Sequence, residues 1–455
     1  MILANKTFNN LLVFVCALLY FYFAYFLDRS DFYLLFGLYS LLFLIFVILM
    51  QKSNFSFTQL TWISIGLRLI FLFSLPILSQ DFYRFIWDGR MLAEGISPYL
   101  FTPKQIMEQN PDLIQQSQEL VNGMQDLNAS HYSNYPPVSQ WIYFLAAKLA
   151  PNSIIGAAVV MRVVLILADI GIIFIGKKIL QHFQLPVKNI FWFALNPLII
   201  LELTGNLHFE GIMLFLVLLT IYLLIQFKWI FSALFFGLSV ATKLLPLVLL
   251  PVFYQFFKNK NKDAGLFSTK QFFQFSCYSL LSISVFILSF WGLAEEDFIS
   301  HFTESIGLWF GTFEFNASFY YLFRWVGFQL VGWNTIETLS KILAVLIFIF
   351  VIWLAFFTTS KKGKNVFVSL VFAASFYLFF STTVHPWYLA TPLLLSVFTQ
   401  FRFVVVWSFL VMLSYAAYQQ KIYQENLWLV ALEYLIVLSY LAYELFYKKS
   451  KIKLA

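Results

Sequence analysis

The sequence predicts an all-α polytopic membrane protein, a single integral membrane domain over residues 1–455. Three observations carry that prediction. Only 11% of the 455 residues are charged, against roughly 25% in soluble domains, too few to clothe the two or three soluble domains this length would make. The hydrophobic share is 61% and the aromatic share 21%. The apolar residues fall into runs of bilayer length, roughly 20 residues each. The same composition excludes disorder, collagen-like repeats, coiled coils and disulfide scaffolds. The net charge of +7 does not mark a nucleic-acid binder, because the basic residues sit in short clusters between apolar runs, as loop anchors do. Cys16 and Cys277 lie inside apolar segments and carry no redox or metal signature.

The candidate spans are 11–27, 32–50, 60–79, 154–176, 188–205, 210–227, 271–292, 339–358, 366–384, 387–400, 403–420 and 427–447. The first reads as a retained helix rather than a cleaved signal. The stretch 229–257 is interrupted at Lys243 and Pro246 and reads as a broken hairpin that enters and leaves on one side, tolerable at membrane depth where it lines a cavity. The expected bundle is therefore about 12 full spans plus that hairpin.

Loop charge alternates along this scheme. One set of loops carries Lys52, Lys177, Lys178, Lys188, Lys228, Lys258, Lys260, Lys262, Lys270, Lys361, Lys362, Lys364 and Arg402, with Asp263 almost alone against them. The positive-inside rule makes that set cytoplasmic and puts both termini there too. The opposite face then holds two long loops, 80–153 and 293–338. Short interfacial helices are expected in the first, at 81–94 and 139–150. No internal repeat stands out.

The densest polar cluster opens the first external loop, running Asp81-Phe-Tyr-Arg84-Phe-Ile-Trp87-Asp88-Gly89-Arg90 and on to Gly95, Pro98 and Tyr99. On a helix, Arg84 and Asp88 share a face at i,i+4 spacing, and Phe82, Phe85, Ile86 and Trp87 supply an interfacial one. A carboxylate just outside the bilayer suits proton abstraction from a sugar hydroxyl, and arginines meet phosphate bidentately. The plainer reading is equally open: Asp81 as a helix N-cap, and Arg84–Asp88 as a surface ion pair.

The pattern D-x-Y-R-x-x-W-D-G-R-x-L-A-x-G-x-x-P-Y after an early span resembles the first luminal or periplasmic loop of the GT-C glycosyltransferases. It is most similar to polyprenyl-phosphate-mannose-dependent mannosyltransferases of bacteria and to the GPI mannosyltransferase I family. The resemblance continues at Tyr132–Pro137, Asn206–Gly211, Ala241–Pro246, Phe313–Ser318 and His385–Tyr388. One departure is that two spans precede the one that leads into the motif. The resemblance implies a GT-C-like helical bundle with Asp81 as the catalytic base. Sugar and glycan contacts are then expected from Arg84, Asp88, Arg90, Tyr99, Tyr135, His208, Glu210, Glu314 and Asn316. Lys243, Arg324 and His385 are expected at the donor phosphate, with a structural hydrogen bond as the other reading for His385 and a loosened turn for Lys243.

The expected activity is transfer of a hexose, foremost mannose, from a polyprenyl-phosphate donor to a lipid or glycan acceptor, with inversion. The expected setting is a bacterial inner membrane with the site facing the periplasm. No cofactor is required by this chemistry. His208 and Glu210 offer only two ligands to a divalent metal. A transporter or lipid flippase is the rival from another class, and an inactive assembly partner the third. Arg68, Arg162, Asp169, Glu202, Glu433 and Glu444 lie within spans. Such residues face a bundle interior or snorkel from the ends, and Arg162 and Asp169 are spaced to pair through a neighbour.

Overall fold

The computed structural model describes residues 6–258, 269–358, 365–420 and 423–448. Lys260, Lys262, Asp263, Lys361, Lys362 and Lys364 lie outside the described residues. Among those described there is no strand beyond one isolated bridge between Phe315 and Thr383. Helices α1 (Lys6–Tyr25) and α2 (Phe32–Lys52) form the first hairpin. Asp31 starts α2 by accepting from the Leu34 amide at 3.2 Å. A Ser56/Gln59 capping box starts α3 (Phe57–Leu69). The run at 60–79 is thus helical only to Leu69. The carbonyls of Leu72 and Ser74, released beyond that end, accept from Arg162 Nη1 at 2.9 and 2.8 Å.

Among the described residues six helices are long and apolar enough to cross a membrane, seven with the bent pair Val187–Ala194 and Pro197–Gly205. That pair turns by 53°, where Pro197 cannot continue the ladder. Four shorter apolar helices, Glu210–Ile225, Trp229–Val240, Asn365–Phe380 and Phe403–Tyr418, complete the bundle. The chain is an integral membrane protein. The run at 387–400 is two short pieces, Pro386–Leu389 and Ala390–Ser396.

The hairpin at 229–257 is broken as its sequence suggests. Helix Trp229–Val240 rises, the chain turns through Lys243, and short 3₁₀ pieces, Leu245–Leu249 and Pro251–Phe253, return. The two limbs lie side by side, with the Phe236 and Phe253 rings 5.2 Å apart.

The region expected as the first external loop, 80–153, folds into four helices: α4 (Asp81–Ala93), α5 (Pro103–Gln109), α6 (Ser117–Ala129) and α7 (Pro137–Leu149). Sequence reading foresaw α4 and α7. α5 carries a legible start, the Thr102/Gln105 capping box with Pro103 behind it, which that reading passed over. α7 turns Trp141, Leu145 and Leu149 outward, as an interfacial helix does. α4 does not: Phe82, Phe85, Ile86 and Trp87 are all buried in a core shared with α6 and α7. Its close seat on α7 depends on Gly89, where a Cβ would stand 2.2 Å from the Tyr143 carbonyl oxygen. The region expected as the second external loop contains helices Phe298–Gly311 and Phe319–Val331. Between them the segment 313–316 pairs with 382–384: the Phe315 amide donates to Thr382 O at 3.1 Å and the Val384 amide to Phe315 O at 2.8 Å.

The ionisable groups inside the bundle each find at least one partner there. Arg68 Nε meets Asp169 Oδ2 at 2.6 Å, so Arg68 does not snorkel. Arg162 Nε also donates to Thr204 O at 2.8 Å, while the Thr204 hydroxyl reaches Asp169 at 3.4 Å. Arg162 and Asp169 are therefore joined through a neighbour. Glu444 does not snorkel either: it accepts from the Arg402 and Phe403 amides at 2.8 and 2.9 Å, holding the start of the helix Phe403–Leu410.

Candidate functional site

A cavity of about 750 Å³ opens where α4, the Lys243 turn and the 381–388 segment meet. Its two ends differ. One side is apolar, walled by Leu244, Leu247 and Val248 of the returning limb and by Ile347, Phe348 and Val351 of the helix Ile336–Phe357. The other end is polar and holds four charged side chains: Arg29, Asp81, Glu210 and Lys243. His385 and Tyr135 line it as well.

Asp81 is the first residue of α4. Gln80 holds the cap position and no side chain caps the helix, so the N-cap reading of Asp81 does not apply. Its carboxylate accepts from Asn128 Nδ2 at 3.4 Å, is also favoured by Ser79, and lines the cavity. α4 lies outside the membrane-spanning helices. Burial pushes the Asp81 carboxyl above its ordinary value of 3.8, and the Lys243 charge pulls it back. Lys243 itself contacts the fully buried Glu210 carboxylate and lies 5.9 Å from the centre of the Tyr388 ring.

Trp387 is sandwiched between two imidazoles, His208 at 3.6 Å and His385 at 4.4 Å. Burial first, then Lys243, hold His385 down to about 3. It is a neutral imidazole at physiological pH: it can donate one hydrogen bond to a phosphate but adds no positive charge. Burial likewise keeps His208 well below its usual range, behind Trp387. Among the described residues no three His, Cys, Asp or Glu side chains gather as a metal group.

The remaining candidates support the site rather than line it. Arg84 and Asp88 do pair, at 2.6 Å, but the pair is buried, 1% and 0% exposed, not a surface bridge. Arg84 also donates to His131 O at 2.9 Å and to Asn128 O. Asp88 accepts from Ser133 Oγ and from Gln140 Nε2 at 3.0 Å. The network clamps α4 to the segment carrying Asn128 and Tyr135. Arg90 ties the end of α4 to Gln115 O and Gln116. Tyr99 donates to Tyr135 O at 2.7 Å from a cluster with Phe290, Phe298 and Phe302. Glu314 is engaged by Arg324, Tyr320 and Asn334. Asn316, in left-handed backbone at φ 46°, is held by Glu425 through its amide and by Glu433 through its side chain at 3.3 Å.

Sequence reasoning passed over Arg29, in the Asp-Arg-Ser-Asp turn between α1 and α2. One signal pointed to it: an arginine in a loop that the charge alternation assigns to the non-cytoplasmic side, where basic residues need a reason.

A family model described as alpha-(1->6)-mannopyranosyltransferase, N-terminal domain, matches residues 22–257, just over half of the chain. The chain belongs to the alpha-(1->6)-mannopyranosyltransferase family. The matched segment includes Arg29, Asp81, Tyr135, Glu210 and Lys243, the greater part of the cavity's polar end. Alpha-(1->6)-mannopyranosyltransferase A of Corynebacterium glutamicum is 24% identical over 204 residues, 44% of this chain and 39% of that protein. Protein B of the same organism is 26% identical over 140 residues, 30% and 22% of the two chains. Protein A of Mycobacterium tuberculosis is 21% identical over 181 residues, 40% and 33%. The matched segments span well under half the length of these relatives.

Proposed function

We propose that this family member is a GT-C-type glycosyltransferase. It transfers a mannosyl residue from a polyprenyl-phosphate donor to a lipid or glycan acceptor at the non-cytoplasmic face of a bacterial inner membrane. The observation that carries the reading is the two-ended cavity: a lightly bonded carboxylate among cations at one end, continuous with an apolar groove at the other. An amphiphile with a phosphate between sugar and tail fits that polarity. Mannose and the α-(1→6) linkage follow the activity for which the relatives are named.

In the proposed step Asp81 takes the proton of the acceptor hydroxyl. The hydroxyl oxygen attacks the anomeric carbon, and the bond to the phosphate oxygen breaks with its electron pair leaving on phosphate. One displacement inverts the centre, so an α product calls for a β-linked donor. Polyprenyl phosphate leaves readily, so one base suffices and the paired carboxylates of glycosidases are not needed. Lys243, at the mouth of the apolar groove, and the His385 N–H lie where the phosphate would arrive. Tyr135, which lines the cavity, offers a flat face to the sugar.

The test is transfer by purified protein from a synthetic polyprenyl-phosphate mannose. Asp81→Asn should reduce turnover at least about 100-fold, the low end of general-base contributions. Near wild-type turnover by that variant would remove Asp81 from the role. Movement of the lipid across reconstituted vesicles with no new glycosidic bond would instead make the protein a transporter.

A further inference from the structure

The four cavity charges are not equivalent. Glu210 and Lys243 are in direct contact and largely cancel one another. Asp81 must stay anionic to act as a base. Arg324, expected at the phosphate, is engaged by Glu314 away from the cavity lining, and His385 is neutral. Arg29 is left, a cation felt by Asp28 and Asp81 at longer range. It forms no ion pair among the described residues.

Arg29 is also held in place. Its Nη1 donates to Leu78 O at 3.1 Å and to Gln80 Oε1 at 3.0 Å, on the segment that leads directly into Asp81. Its guanidinium carbon stands 4.2 Å from the centre of the Tyr418 ring, which stacks one face. Those hydrogen bonds use a single nitrogen, so the other guanidinium N–H groups remain for a ligand in the cavity. A planar, fixed, permanently charged fork of this kind is suited to a phosphate.

We infer that Arg29 is the phosphate receptor of this cavity and binds the phosphate of the lipid-linked donor. The inference rests on the proposed transferase reading. During transfer the phosphodiester, with one negative charge, becomes a phosphate monoester that carries a second. A cation fixed at that oxygen favours the leaving group more than the bound donor. Arg29 therefore acts on turnover as well as on donor affinity. It also keeps the phosphate beside the Leu78–Asp81 segment, so that base and leaving group are positioned by one piece of backbone.

Farnesyl phosphate, a short prenyl phosphate, is the binding probe, and farnesol the uncharged control, with wild-type, Arg29→Gln and Arg29→Lys proteins in detergent. Removing a charge-assisted hydrogen bond should weaken farnesyl phosphate binding about 10- to 100-fold in Arg29→Gln. The loss should be smaller in Arg29→Lys, and farnesol binding unchanged. In the transfer assay Arg29→Gln should lower kcat and raise the donor KM, with partial rescue by added guanidinium. Equal farnesyl phosphate affinity in wild type and Arg29→Gln overturns the assignment. So does a rise confined to the acceptor KM, which would place the anion on the acceptor. If Arg29→Gln does not fold, Arg29→Lys reads the same comparison, and wild-type affinity with wild-type kcat in that variant counts against the assignment. Weakened farnesyl phosphate binding in Arg29→Gln, alongside a wild-type protein that transfers no sugar, would sink the transferase reading and leave the phosphate site standing.

Discussion

Replacing Asp88 with alanine distinguishes a substrate contact from a structural one. Asp88 is fully buried and accepts three hydrogen bonds, from Arg84, Ser133 and Gln140. Its removal leaves the Arg84 guanidinium buried with two backbone carbonyls as its neutral partners. Breaking one member of a buried pair costs about 3–5 kcal/mol. An unfolding entropy of roughly 2 cal/mol/K per residue gives about 1 kcal/mol/K for a chain of 455 residues. The melting temperature in a fixed detergent should therefore fall by about 3–5 °C. A protease should also reach the first external region sooner. The double variant Arg84→Met/Asp88→Leu removes both charges and should recover part of the loss, a coupling that a double-mutant cycle reads directly. An unchanged melting temperature in Asp88→Ala, together with a raised donor KM, would refute this reasoning and return Asp88 to the substrate.

Two further outcomes follow from the same region. Gly89→Ala drives a methyl into the Tyr143 carbonyl and should cost at least the ~1–3 kcal/mol of ordinary overpacking, since backbone rather than a side chain must yield; a melting temperature within about 1 °C of wild type would exclude the close seat of α4 on α7. Lys243→Gln removes the charge that opposes burial at Asp81. The proposed step needs the carboxylate, so the acid limb of kcat/KM should lie above the ordinary aspartate range and move to higher pH in the variant. A limb that stays in place would separate Lys243 from the base.

The fold class was legible because it depends on composition and run length, which a single chain displays. The broken hairpin was legible for a local reason: Lys243 and Pro246 interrupt an otherwise apolar run. Asp81 was legible through its motif, but its freedom from capping was not, since the same residue at a helix start serves both ends. The roles of Arg84 and Asp88 could not be read from spacing. An i,i+4 pair has the same sequence whether water or protein surrounds it, and here the deciding partners, Asn128, His131, Ser133 and Gln140, stand 44 to 52 residues away from the member they bond. Arg29 lies still further in kind: its partners at Leu78 and Tyr418 are joined to it only by the packing of three separate segments.

The irregular backbone around the cavity follows from the same requirement. A donor with a prenyl tail and a phosphate needs an apolar groove that ends in charge, and a regular helix gives the same kind of surface along its length. Four interruptions supply the change of character. The Lys243 turn ends a helix and brings an ammonium against Glu210. The 3₁₀ limb after it lays Leu244, Leu247 and Val248 along the cavity. The break after Asn365–Phe380 frees the segment 381–385 to pair with 313–316, bringing His385 against Phe315. The Asp-Arg-Ser-Asp turn carries Arg29 across to Tyr418. Backbone groups exposed by such breaks are costly in lipid unless protein or a water-filled space receives them. Here they border a cavity, so the irregular segments and the polar end of the proposed donor site have a common origin.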